Sequence, residues 1–265
     1  MLIEELFLRI ITNKLQSGQI ANSVNFYEWN KNNVNLSSGM AIVIQNLIEK
    51  IKHNYGVSAV EKPKIKYNEP LFLSLGENCA TDNIIARHNL KSYTTAYSWG
   101  YTNIDYALQL ETVNIDYFLK PNFLYRQDLF NEKGTFSKLI IDCQNIFSWT
   151  NGFAFFHIDP LTNPEDTEKI KRRIMRLRDF RENGERDFIF FYNHRFHNNM
   201  NLFELIKKLK LFSELYTSLK HKCLIVCLAQ EIVSQEYNRE VSYFLDGNVY
   251  MFVFKTHNIW IGADG

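Results

Sequence analysis

The sequence predicts an α/β or α+β domain with helices packed against a sheet, and three observations carry that expectation. Short apolar runs bounded by turn residues recur at 71–75, 153–158, 188–192, 223–228 and 249–254, with the length of buried strands. Segments of helical periodicity lie between them. The two kinds alternate irregularly, with strands concentrated late, which fits helices layered on a sheet.

Residues 2–15 place Leu2, Leu6 and Ile10 on one helical face. Asn-rich sequence follows over 22–35, with Tyr27 and Trp29 embedded in it. Ser37 and Ser38 cap a second helix from Gly39 to about Asn54, its apolar face made of Ile42, Leu47, Ile48 and Ile51. Gly56 and the polar stretch through Pro63 to Pro70 read as a linker. Residues 1–68 are therefore expected to form a helical hairpin ahead of a main domain at 69–265. That domain opens with the strand at 71–75, which Gly76-Glu77-Asn78 turns into a helix running from Cys79 to His88. Helix-compatible segments follow at 103–110 and 113–119, then a strand at 153–158 ended by Asp159-Pro160. Pro164-Glu165-Asp166 starts a charged helix to about Arg181, acids first and bases later, as the helix dipole favours. A further amphipathic helix is expected over 201–220.

Composition excludes several classes. Of 265 residues, 46% are hydrophobic and 15% aromatic, too much apolar area for a disordered chain. Thirty Lys and Arg against twenty-nine Asp and Glu leave a net charge of +1, which argues against non-specific attraction to nucleic acid or anionic membrane. No apolar run approaches the roughly 20 residues that span a bilayer. The acidic start, Met1-Leu2-Ile3-Glu4-Glu5, is unlike the basic n-region of a secretory signal. The expectation is a cytoplasmic protein with no nucleic-acid partner and no integral membrane segment. Four cysteines without a CxxC pair indicate neither a zinc ribbon nor a thioredoxin-type centre.

Cys79 is the distinctive thiol. It stands at a strand–turn–helix junction, where free N–H groups and the helix dipole stabilise a thiolate and can also donate to an oxyanion. A base is needed, and His157 is the candidate because it ends a strand with Asp159 two positions on, on the same face. Asp159 would orient the imidazole, with Asn193 a rival for that role. His194 and His197 form His-x-x-His, and with His157 and Asp159 could be drawn as a metal site. That spacing aligns imidazoles only in a helix, whereas 193–200 reads as an Asn-rich loop, so no metal is expected. Arg172, Arg173, Arg176, Arg178 and Arg181 read as a solvated helix face, with phosphate binding the alternative. Cys223 and Cys227, four apart in a strand, share a side and read as core. Cys143 lacks a basic neighbour and reads as inert. Trp99 reads as packing behind the Cys79 helix.

Ser74-Leu75-Gly76-Glu77-Asn78-Cys79, followed by a helix, Ser92-Tyr93 and Trp99, resembles the opening motif of bacterial papain-like cysteine peptidases. In that family Ser-Leu-Gly-x-x-Cys precedes a Pro-Phe-Asp-Trp segment and, later, a His-Asp region on a strand. Phe156-His157-Ile158-Asp159 is the second match. Ala96-Tyr97-Ser98-Trp99 replaces Pro-Phe-Asp-Trp, so the Trp carries over and the Asp does not. The resemblance implies an α+β, papain-like domain whose nucleophile-bearing helix packs on a small mixed sheet. It also implies a thiol-centred acyl-transfer site: Cys79, His157 and Asp159 catalytic, with Asn78, Gly76, Trp99 and Asn193 as substrate-binding or oxyanion groups. The expected reaction is amide hydrolysis or acyl transfer through a thioester, on a peptide or saccharide substrate and without a required cofactor. An O-acyltransferase taking acyl-CoA as co-substrate is the alternative, and a non-catalytic binding module with a decayed site is the third reading.

Overall fold

The apolar runs at 71–75, 188–192, 223–228 and 249–254 become the parallel strands of one sheet, and the helices between them fold back over it. The structure is a computed structural model that describes residues 3–16, 20–32, 36–59, 70–98, 100–113, 124–131, 134–141, 154–155, 158–195 and 202–258. Its elements run α1 (Ile3–Gln16), α2 (Ile20–Asn30), α3 (Ser38–Tyr55), β1 (Leu71–Gly76), α4 (Ala80–Arg87), β2 (Gly100–Tyr101), α5 (Ile104–Val113), β3 (Leu124–Asn131), β4 (Gly134–Ile141), β5 (Ala154–Phe155), α6 (Pro164–Asn183), β6 (Phe188–Arg195), α7 (Leu202–Leu215), β7 (Cys223–Ile232), β8 (Glu240–Asp246) and β9 (Val249–Thr256). β1, β6, β7 and β9 are parallel neighbours, and β8 pairs antiparallel with β9, which makes a five-stranded mixed sheet of order β1-β6-β7-β9-β8. A second sheet, β2-β5-β4-β3, is antiparallel. The class is mixed α/β, and α4 packs on β1 and β6, as the expectation of a nucleophile-bearing helix against a mixed sheet requires.

Strand alternation sends Leu71, Leu73, Phe188, Phe190, Cys223, Ile225, Cys227, Val249 and Met251 to one buried face. α7 covers it, with Phe212 and Tyr216 edge-on to Phe190 at 5.4 and 4.9 Å. Each large side chain buried this way contributes about 1.5–3 kcal/mol. α1 joins the same core through Phe7, Ile10 and Ile11 and packs on α5 and α7. Between these helices lies a buried polar knot. Glu111 Oε1 accepts from the hydroxyls of Tyr97 and Tyr216, each at 2.7 Å, and its Oε2 accepts from Arg181 Nη1 at 2.8 Å.

Several elements differ from the sequence expectation. Among the described residues the N-terminal part holds three helices, not a hairpin of two. The Asn-rich stretch enters α2 as far as Asn30 because Val24, Phe26 and Tyr27 bury against α1, with Phe7 and Phe26 centroids 5.1 Å apart. Burial there overrides the weak helix propensity of Asn. The β3–β4 hairpin and edge strand β8 carry no strong apolar alternation and are not among the expected strands. The segment expected to be helical over 113–119 lies outside the described residues beyond Val113, where α5 ends. β6 runs on to Arg195, so Asn193 and His194 are strand residues and not part of a loop. Parallel pairing with β7 as far as Arg195↔Gln230 extends it past the apolar run. Arg181 is not on a solvated face, because it serves the Glu111 knot. Cys223 and Cys227 are core, as expected.

Candidate active site

An open α/β sheet presents its ligands at the carboxyl ends of parallel strands, where loops and helix N-termini converge. β1 ends there at Gly76, whose φ of 106° lies where L side chains are strained. A Cβ at this position would stand 2.7 Å from Thr102 Cγ2, so glycine is required by both backbone and space. The turn that follows is stitched on two sides. Glu77 N–H donates to Asn193 O at 3.1 Å, and Thr102 N–H donates to Glu77 O at 2.9 Å. Asn78 Oδ1 accepts from Ala80 N–H at 2.8 Å, a cap that starts α4. The Thr81 and Ser74 hydroxyls are 2.6 Å apart, tying the first turn of α4 back to β1.

Cys79 thus sits at the N-terminus of α4, half-buried, with helical dihedrals (φ −70°, ψ −6°) and a carbonyl that accepts from Asn83 N–H at 3.1 Å. Thr95 Oγ1 donates to Ser74 O at 2.7 Å, which lays the 95–98 segment across the end of β1. Behind the turn is a buried polar group. Glu77 Oε1 lies 3.3 Å from His194 Nδ1 and accepts from Tyr192 OH at 3.4 Å. The same Tyr192 oxygen accepts from Ile104 N–H at 3.1 Å. Burial, with the Glu77 charge adding, pushes Tyr192 ionisation well up. Burial and the same carboxylate push the Cys227 thiol up, which keeps it protonated and inert.

Of the residues the sequence singled out, Gly76, Asn78, Cys79 and Asn193 come together at one turn. Asn193 reaches it through its carbonyl, while its Nδ2 donates to Leu228 O at 3.4 Å. Asp159 shapes the turn before α6: Oδ1 accepts from Leu161 and Thr162 N–H, each at 3.1 Å, and Oδ2 from Thr162 Oγ1 at 2.7 Å. His157, Trp99, Cys143 and His197 lie outside the described residues. The sequence set His194 beside His197 as a metal-site candidate and Glu77 in the turn, but did not bring Glu77, His194 and Tyr192 together. The available signal was an acid two residues before the thiol, but only the pairing of β6 with β1 and β7 shows what it faces.

Among the described residues no helix is long and apolar enough to cross a membrane. In comparison with known proteins, a model of the family described as "Putative papain-like cysteine peptidase" matches residues 70–231. No curated protein and no solved structure matches the chain.

Proposed function

Because the chain belongs to that family of papain-like cysteine peptidases, we propose that it is a cysteine-nucleophile enzyme with Cys79 as the attacking group. The observation that carries the reading is the placement of Cys79: half-buried, at the helix N-terminus that directly follows a parallel strand's carboxyl end. A thiolate at a helix N-terminus is favoured by the dipole, and nearby N–H groups can receive the oxyanion.

In the proposed cycle the Cys79 thiolate attacks an acyl carbon, forming a C–S bond. The C–N or C–O bond to the leaving group breaks, and an imidazolium, assigned to His157, protonates it. Water then attacks the thioester, its proton passes to the imidazole, and a carboxylic acid and free Cys79 result. With acyl-CoA as donor the bond that breaks is the donor's C–S bond and CoA leaves as its thiol; an alcohol in place of water then takes the acyl group from Cys79 as an ester, the acyl-transfer outcome. Asp159 is assigned to orient His157. The substrate is a peptide or a saccharide, and no cofactor enters the cycle.

The test is Cys79→Ala with Cys79→Ser. Both should keep the circular-dichroism spectrum and the unfolding midpoint while losing hydrolysis of peptide or thioester probes. In the native protein, iodoacetamide should label Cys79 far faster than Cys223 or Cys227. Full turnover by Cys79→Ala, or equal labelling of the thiols, would instead make the chain a binding module.

A further inference from the structure

We propose that Glu77 and His194 form a positioning pair that sets the charge beside the Cys79 thiol, an inference resting on the reading of Cys79 as nucleophile. The pair belongs to the turn itself. Glu77 precedes Cys79 by two residues, its backbone is held by Asn193 O and Thr102 N–H, and its carboxylate meets His194 Nδ1 at 3.3 Å. Both side chains are buried, at 3% and 1% exposure, so their charges act with little solvent screening. A lone carboxylate here would oppose a thiolate two residues away. A protonated imidazole against that carboxylate cancels the opposition.

At another thiol, Cys227 on β7, burial first and then the Glu77 charge disfavour the anion. The other titratable groups around the turn have charged partners of their own or stay protonated. Tyr192 on β6 and Cys227 stay protonated. Asp82 on α4 pairs with Lys91 at 2.6 Å and faces Arg173 of α6. Asp105 on α5 pairs with Lys208 of α7 at 2.8 Å. Glu77 and His194 are thus the acid and imidazole buried together directly behind the turn. Backbone hydrogen bonds of Glu77 hold the turn, the pair sets its electrostatics by protonation, and neither residue needs to touch the substrate.

The experiment follows the alkylation rate of Cys79 by iodoacetamide, read by peptide mass spectrometry, from about pH 5 to 9. Native protein is compared with Glu77→Gln, Glu77→Asp and His194→Gln. Glu77→Gln removes the negative charge, so its rate profile moves to lower pH. His194→Gln leaves the carboxylate uncompensated, so its profile moves to higher pH. Each displacement is on the order of one pH unit, from the Coulomb interaction of neighbouring charges in a partly buried site. Glu77→Asp, which keeps the charge, follows the native profile. Shifts in the same direction, unmoved profiles, or loss of the fold in Glu77→Gln and His194→Gln overturn the proposal, because a structural pair predicts no opposed displacements. A reactive Cys79 with unmoved profiles removes this pair alone. A native Cys79 no more reactive than Cys227 removes the nucleophile reading and this proposal together.

Discussion

Replacing Lys14 with methionine should flatten a pH dependence of stability that the native protein carries. Lys14 is a buried residue of α1, with Nζ 5.8 Å from the Phe26 ring centroid. Burial, then the nearby Arg181 charge, bring it down from its ordinary value of 10.5 to about 8, with Glu214 pulling the other way. The folded value lies below the unfolded one. Below pH 8 the lysine is charged in both states and its full cost, roughly 3 kcal/mol at 1.36 kcal/mol per unit, weighs on the fold. Between about pH 8 and 10.5 the unfolded chain binds the proton that the folded chain has released, so stability rises with pH. From pH 7 to about 9.5 the native protein should therefore gain about 2 kcal/mol relative to Lys14→Met. Tyr97, Tyr192 and Tyr216, whose ionisation is pushed well up, disfavour the fold only above about pH 10 and are common to both proteins. Urea unfolding at half-unit steps over that range measures the difference. Two parallel stability curves would refute the burial argument, and with it the docking of α1 through Lys14.

Glu111→Gln leaves the Arg181 guanidinium, 22% exposed, against a neutral partner, and should cost about 3 kcal/mol in denaturant unfolding. Adding Arg181→Met should recover part of that loss, and a strictly additive double variant would show that the two groups do not interact. Gly76→Ala must hold alanine at φ 106° with its Cβ 2.7 Å from Thr102 Cγ2, so a loss of about 1–3 kcal/mol and slower Cys79 alkylation are expected. Thr102→Ser in the same chain removes the methyl contact but not the backbone strain, and should restore only part of the stability. Unchanged midpoints in Gly76→Ala would contradict the geometry of the turn.

The legible part of the candidate site was local. Gly76, Asn78 and Cys79 lie within four residues, and a glycine turn, an Asx cap and a helix start are all short-range chemistry. The same holds for α6, whose Asn163 side chain accepts from Glu165 N–H at 3.0 Å ahead of Pro164. It holds for β7 as well, where alternation alone put Cys223 and Cys227 inside. The Asn-rich α2 was not legible, because its helix forms on Phe7 and the rest of α1, not on its own propensity.

The amino-acid order by itself therefore determined the apolar strands, the Cys79 junction and the family resemblance, since each depends on residues close in the chain. Only the tertiary structure decided that Glu77 meets His194, 117 positions away in numbering, and that β6 continues through Asn193 and His194. The reason is physical. A buried acid and imidazole become partners when parallel strands β1 and β6 are zipped side by side, and that pairing is fixed by the whole sheet and by no local pattern.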